Sequence, residues 1–283
     1  MLILMMKLIL SFLKEKLMPI SKKLKTPDSF YLVLLVCFFY KFIFIAYAIE
    51  LKGNFIQGGI IFGKTTLGNT VFYNNLKVPI DENGEFIIGL GRNHPKSGHF
   101  KIIKSDDDTI TKNIEIKQRK YKIQKINNLE KSKVTPPEKF YKRIKEEGFK
   151  IKRAKSFEVK KSYYHAGFQM PTKGIITGVY GSQRILNGIP KRPHYGIDIA
   201  NKLGTPILSP SDGVIVLVEK NLYFSGGTII ISHGRGFTSS LLHLKDILVE
   251  EQSIIKKGEL IGLMGDTGRA TGSHLDWRME IRE

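Results

Sequence analysis

The chain has 283 residues, 42% hydrophobic and 25% charged, proportions that exclude a collagen-like, low-complexity or wholly disordered protein and leave room for two modules with separate cores. Its 45 Lys+Arg against 26 Asp+Glu give a formal charge of +19, which favours a polyanionic partner. The excess sits in Lys-rich stretches at 117–125 and 139–161 without interleaved base-stacking aromatics, so no nucleic acid is expected, and the single cysteine, Cys37, rules out a disulfide framework and a cysteine-based zinc site.

In chain order, residues 1–48 read as a signal peptide or a membrane anchor. Phe30 to Ala48 is almost continuously apolar, preceded by Lys22, Lys23 and Lys25 and closed by Ala46-Tyr47-Ala48, a small-x-small cleavage pattern. Lys41 interrupts the run at a cost of roughly 2.5 to 3.5 kcal/mol near mid-bilayer, which favours cleavage after Ala48. Either outcome exports the rest of the chain, to the periplasm or cell envelope, with inner-membrane anchoring if the helix is retained.

Residues 49–126 alternate short apolar runs with turn residues: Gly53 to Phe62, Val71 to Tyr73, Lys77 to Ile80, Phe86 to Leu90, Phe100 to Lys104 and Ile110 to Ile116. They predict a small antiparallel β-sandwich, an accessory domain with His94 and His99 as plain surface histidines. Residues 127–163 read as a linker: a polar connector ending at Pro136-Pro137, then a basic helix over Glu138 to Phe157 whose expected state is a solvated spacer face. Residues 164–283 form a second, glycine-punctuated β-rich region, making the whole chain mainly β.

Chemistry concentrates in that last region. His194 and Asp198 flank Gly196 at i and i+4, the same face of an extended segment, with nothing on the intervening glycine to block a cation. His274, Asp276 and Arg278 share one face of the last strand, while Leu275, Trp277 and Met279 turn to the other. His243, in Leu242-His243-Leu244, adds another imidazole; His165 and His233 read as structural. Three N/O ligands with two spare imidazoles are the inventory of an open catalytic zinc site.

From Phe168 to Met279 the sequence resembles the lysostaphin-type (LytM-like) zinc metallopeptidases that cleave peptidoglycan peptides, among them the murein DD-endopeptidases of Gram-negative bacteria. The resemblance runs through Thr177 to Arg184, His194 to Ala200, Gly204-Thr205-Pro206-Ile207, Asp212-Gly213, Leu242-His243-Leu244 and Gly265-Asp266-Thr267-Gly268 to His274. It implies an antiparallel β-sheet peptidase domain with a groove across one sheet, one Zn²⁺ per chain on His194 and Asp198, and His243 and His274 as catalytic histidines. Peptidoglycan stem peptides are the implied substrate.

One position departs from the family pattern, which ends His-x-His with the second histidine as third zinc ligand; here the sequence is His274-Leu275-Asp276. Asp276 can ligate zinc through oxygen, giving a site of one histidine and two carboxylates whose formal charge cancels that of the dication and makes a weaker Lewis acid. Arg278 either braces Asp276 or holds it in an ion pair, while Arg184 and Tyr195 are candidate substrate contacts. The resulting expectation is an exported zinc metalloendopeptidase acting on peptidoglycan cross-links. The alternative is a catalytically inactive LytM-like module that binds and activates a separate cell-wall hydrolase.

Overall fold

A computed structural model describes residues 49–282, so the leader at 1–48 lies outside the described residues. Among the described residues no helix is long and apolar enough to cross a membrane.

The first region folds as two packed sheets. β1 (Ile49–Gly53), β2 (Ile60–Thr65) and β5 (Glu85–Gly89) form one; β3 (Thr70–Tyr73), β4 (Leu76–Lys77), β6 (Ser97–Ile103) and β7 (Thr109–Glu115) form the other, in the order β4-β3-β6-β7. Strand alternation builds the core: Gly98, Phe100 and Ile102 point inward from β6 while Ser97, His99 and Lys101 point out. Phe86 of β5 reaches Phe100 of β6 at a ring distance of 6.2 Å, tying the two sheets together, while Tyr73 packs on Phe100 within its own sheet at 4.8 Å. The expected strand at Lys77 to Ile80 shrinks to Leu76–Lys77. It leaves the two-residue turn Asn74-Asn75, both at positive φ as a hairpin with right-handed twist requires, and stops before Pro79, which has no N–H for the ladder. His94 is not a plain surface histidine: its Nε2 lies 2.8 Å from the Tyr73 hydroxyl.

β8 (Ile123–Ile126), expected within the sandwich, pairs instead in parallel with β10 (Gln183–Leu186), which also pairs with β11 (Ile189–Pro190). After a short helix α1 (Lys131–Val134), α2 (Tyr141–Lys155) occupies the expected helical stretch but is no solvated spacer. Ile151 and Ala154 pack on Leu217 and Ile230, and Glu147 accepts the backbone N–H of Tyr223 at 2.8 Å. The reason is the neighbouring strand: Ile230 lies in a run buried on both faces, and the helix supplies the second cover. Phe149, on the same helix, is exposed.

The C-terminal region is a nine-stranded antiparallel sheet. Its strands are β9 (Ile175–Gly178), β12 (Ile197–Ala200), β13 (Pro206–Leu208), β14 (Gly213–Leu222), β15 (Gly226–Gly234), β16 (Phe237–Ile247), β17 (Ile254–Ile255), β18 (Leu260–Met264) and β19 (His274–Ile281). The main order is β17-β14-β15-β16-β19-β12-β9, with β18 pairing both β13 and β16. One face carries the core of Ile199, Ile215, Ile229, Ile231, Leu241, Leu275 and Trp277. The sandwich joins this sheet through Ile87, Tyr164 and Phe237, while buried Asp81 accepts hydrogen bonds from the Ser162 hydroxyl and His165.

Fully buried His233 ties the core together. Its Nδ1–H donates to the Asp212 carbonyl at 2.7 Å and its Nε2 lies 2.8 Å from the Ser239 hydroxyl, which accepts Trp277 Nε1–H at 3.2 Å. Burial, only partly offset by the Asp212 carbonyl, pushes its pKa down to about 4. The unfolded ring titrates near 6.5, so on acidification the unfolded state binds protons first. The contribution of neutral His233 is full above about pH 6.5 and is lost progressively as pH falls to about 4. Urea titrations should therefore show stability falling through that window, by on the order of 2 to 3 kcal/mol from this residue. His233→Gln, whatever its overall cost, should show a shallower fall.

Candidate active site

The register of β12 on β19 sets Asp198 directly opposite Asp276 and Ala200 opposite His274, while β16 brings Leu242 alongside Asp276. Both carboxylates therefore rise from adjacent strands on the sheet face away from the core. His194 precedes β12 in a loop held by its own N–H to the Ser182 carbonyl, at 2.9 Å. One ligand atom from each of His194, Asp198 and Asp276 falls within 4.8 Å of the other two, and all three residues are buried.

Polar bookkeeping shows what this group fits. His194 has both ring nitrogens buried without a hydrogen-bond partner, and Asp198 Oδ1 is in the same condition. His194 Nε2 and Asp198 Oδ1 stand 3.1 Å apart without hydrogen-bond alignment, and His194 Nδ1 is 3.9 Å from Asp276 Oδ2. Buried donors and acceptors left unsatisfied cost about 1 to 3 kcal/mol each, so converging lone pairs at a closed spot fit a divalent cation. His plus two carboxylates is a hard, N/O donor set compatible with zinc.

Two guanidiniums stand behind the carboxylates. Arg184 Nη2 hydrogen-bonds Asp198 Oδ2, and Gln124 of β8 braces the same guanidinium by accepting from Arg184 Nε at 3.3 Å. Arg278 forks onto Asp276, Nε at 3.1 Å from both oxygens and Nη2 at 2.6 Å from Oδ2. Burial pushes both carboxyls up; the His194 and Arg184 contacts outweigh it at Asp198, and Arg278 outweighs it at Asp276, which falls to about 2. Both are ionised at neutral pH.

His243 and His274 stack obliquely beside this group, ring centroids 4.7 Å apart. His243 Nδ1 faces the Thr267 carbonyl and His274 Nδ1 the Gly272 carbonyl, each at 2.8 Å. A carbonyl only accepts, so each Nδ1 carries the hydrogen and each neutral ring presents its Nε2 lone pair. His243 adopts φ 67°, which swings it off the β16 ladder; a non-glycine residue there costs on the order of 1 to 2 kcal/mol, strain of the kind found at functional positions. Burial and then the charge of His274 push its pKa down to about 4.

Of the residues singled out from sequence, His194, Asp198, Asp276, His243, His274, Arg184 and Arg278 thus converge. Tyr195 does not join them: it is 42% exposed and packs edge-on against Tyr180 at 6.3 Å. Sequence reasoning missed Arg269, Ser273 and Gln124, which line the pocket beside the histidines. Arg269 follows directly on the Gly265 to Gly268 turn, whose Thr267 orients His243, a signal that could have flagged it. Asp81, Glu85 and His165 also cluster, but the two Asp81 oxygens already accept from the Asn83 and Glu85 amides, Ser162 and His165. That cluster is a joint between the two regions.

Two glycines make the convergence possible. A Cβ on Gly196 would lie 2.6 Å from Asp276 Oδ1 and 2.5 Å from the Trp277 carbonyl oxygen; one on Gly178 would lie 2.2 Å from Asp198 Oδ2. Gly196→Ala should displace Asp276, costing about 1 to 3 kcal/mol of stability and on the order of tenfold or more in metal affinity, read by thermal unfolding and metal titration.

Residues 192–283 match Peptidase family M23, and this region of the chain is a LytM-type peptidase M23 domain. The crystal structure of a peptidase M23 from Pseudomonas aeruginosa superposes with a TM-score of 0.60, covering 79% of this chain and 89% of that one at 23% identity, which shows a shared fold. Among curated proteins, the chain is 40% identical over 101 residues to the peptidoglycan DD-endopeptidase ShyA of Vibrio cholerae, covering 35% of this chain and 23% of the relative. It is 34% identical over 128 residues to ShyB, a peptidoglycan DD-endopeptidase of the same organism, covering 44% and 27% respectively. The match thus spans about a quarter of the length of these relatives.

Proposed function

We propose that this protein is an exported zinc endopeptidase that hydrolyses the peptide cross-links of bacterial peptidoglycan. The observation that carries the proposal is the buried convergence of His194, Asp198 and Asp276, with both His194 ring nitrogens and Asp198 Oδ1 unpartnered, beside the paired rings of His243 and His274. The named activity of the two Vibrio relatives supports the substrate. The basic surface suits an acidic envelope in which stem peptides carry carboxylates. An uncleaved leader would add a membrane attachment.

His194, Asp198 and Asp276 would hold one Zn²⁺ per chain, which when bound supplies a Lewis acid that polarises the scissile carbonyl and acidifies water. Two carboxylates mute that acidity, and Arg184 and Arg278 return positive potential from behind them. Each histidine handles protons at Nε2, because a carbonyl fixes each Nδ1–H. Deeply buried His243 stays neutral and is placed to take the proton of the attacking water. His274 has a side chain 17% exposed with its Nε2 3.9 Å from Asp198 Oδ1, which places it beside the metal group as the second catalytic histidine.

The test is elemental analysis of the purified protein together with digestion of purified peptidoglycan, with and without a chelator. Near-stoichiometric zinc and chelator-sensitive release of cross-link peptides are expected, with activity restored by added zinc. A second reading, a non-catalytic module that activates a separate hydrolase, draws on one observation: Arg278 already chelates Asp276. Absence of both metal and peptide release from well-folded protein would overturn the peptidase and favour that module.

A further inference from the structure

Helix α2 has a second side, turned away from the protein. Its inner side is committed: Ile151 and Ala154 pack on Leu217 and Ile230, and Glu147 takes both Arg143 and the Tyr223 amide. On the flanks Lys150 pairs with Glu219 and Lys155 with Glu280, each at 2.7 Å. These contacts, to β14, β15 and β19, fix the rotation of the helix about its own axis. At 3.6 residues per turn the opposite side carries Tyr141, Lys145, Phe149 and Lys152 in one row, with Lys142 and Arg153 beside it. All six are exposed, Phe149 at 61% and Tyr141 at 55%. The Lys145 ammonium lies 5.9 Å from the centre of the Phe149 ring. Of the two carboxylates on the helix, Glu147 is turned inward and Glu146 only borders this face, so four cations surround two aromatic rings. One exposed aromatic on a surface is ordinary. Two on one rigid row among lysines are what an interfacial helix presents, with rings at headgroup depth and Lys and Arg stems lying along them while the charged ends reach phosphates. An anionic polymer would neutralise the cations but offers Phe149 no apolar phase, so rings and charges together favour a bilayer.

We propose that the outward face of α2 docks on an anionic phospholipid bilayer, with Phe149 and Tyr141 entering the boundary between headgroups and acyl chains and Lys142, Lys145, Lys152 and Arg153 lying on the phosphates. This contact is independent of the peptidase reading and of the leader, since it needs neither a metal nor a retained apolar segment. A chain whose leader has been removed would still be held at a membrane surface through this helix.

The test places a reporter on this face of the full-length protein by Phe149→Trp, a ring-for-ring change at an exposed position. The one native tryptophan, Trp277, is 8% exposed, and its emission is subtracted using the unsubstituted protein. On phosphatidylglycerol-rich vesicles the new indole should shift its emission to the blue and be quenched by lipids brominated along the acyl chain. Vesicles of phosphatidylcholine alone should produce neither effect. Replacing any one of Lys142, Lys145, Lys152 and Arg153 by Gln should weaken docking about fivefold, and all four together on the order of several hundred-fold. Because the reporter reads position 149 alone, a leader that holds the chain at the vesicle does not imitate this result. No shift on anionic vesicles, or an equal shift on both kinds, overturns the proposal. The same shift with a soluble polyanion and no lipid overturns the bilayer as partner and puts an anionic wall polymer in its place. A shift that survives loss of all four cations overturns the assigned face.

Discussion

His194→Ala should give a folded protein that retains no metal and releases cross-link peptides on the order of 10³-fold more slowly, or not at all. His194 is one of three converging donors and the only nitrogen among them, so its loss leaves two carboxylates to hold a dication alone. An affinity loss of at least ~100-fold follows, since even residues behind the ligands contribute 10- to 100-fold. Stability should separate metal-bound from metal-free protein. Without metal, both ring nitrogens of His194 are buried and unbonded, so truncation removes an unsatisfied group while opening a small cavity; the two effects oppose, and unfolding should change by only ~1 to 2 kcal/mol. Excess zinc should raise wild-type stability by about 4 kcal/mol at a thousandfold over Kd and leave the variant unmoved. His233→Ala is the control: that ring is equally buried but bonded on both sides, so its truncation should cost more in metal-free protein and leave metal binding intact. Stoichiometric zinc in His194→Ala would sink the ligand assignment.

The site was legible from sequence where period-two alternation carries the geometry. On β19 it placed His274, Asp276 and Arg278 on one face and Leu275, Trp277 and Met279 on the other, as the structure has them. His194 and Asp198 share a face for the same reason, with Gly196 making room. What periodicity cannot supply is cross-strand register. That Asp198 sits opposite Asp276 depends on how β12 docks on β19, and only the folded sheet reveals that Arg184 reaches Asp198. The basic helix misled for a related reason. Its charge suggested a solvated spacer, but the uncovered face of β15 draws it in through Ile151 and Ala154. The expected sandwich boundary at residue 126 took in the residues of β8, whose partner, β10, lies some sixty residues further on in sequence. Arg269 was missed because a lone arginine in a glycine-rich turn carries no periodic signal.

Asp276→Ala should be the most destabilising single change at the site, and Arg278→Met on top of it should recover most of the loss. Asp276 is almost fully buried and receives three hydrogen bonds from Arg278, whose own side chain is 37% exposed, so removing the carboxylate leaves a part-solvated guanidinium without its partner at about 2 to 3 kcal/mol. Replacing both partners removes the stranded charge, so the double-mutant cycle should show a coupling of at least ~2 kcal/mol in urea unfolding of the metal-free protein. Arg278→Met alone decides between brace and competitor. A carboxylate offers about four lone-pair positions and the fork uses three, which leaves Asp276 able to accept a metal while held in place. Without the fork, burial pushes the Asp276 carboxyl up from about 2, and a protonated carboxyl is a poor ligand. Arg278→Met should therefore weaken zinc binding by roughly 10- to 100-fold, more so at lower pH. Tighter binding would mean that Arg278 competes with the metal, and Asp276 would then be held as the partner of an arginine in a module that does not need catalysis.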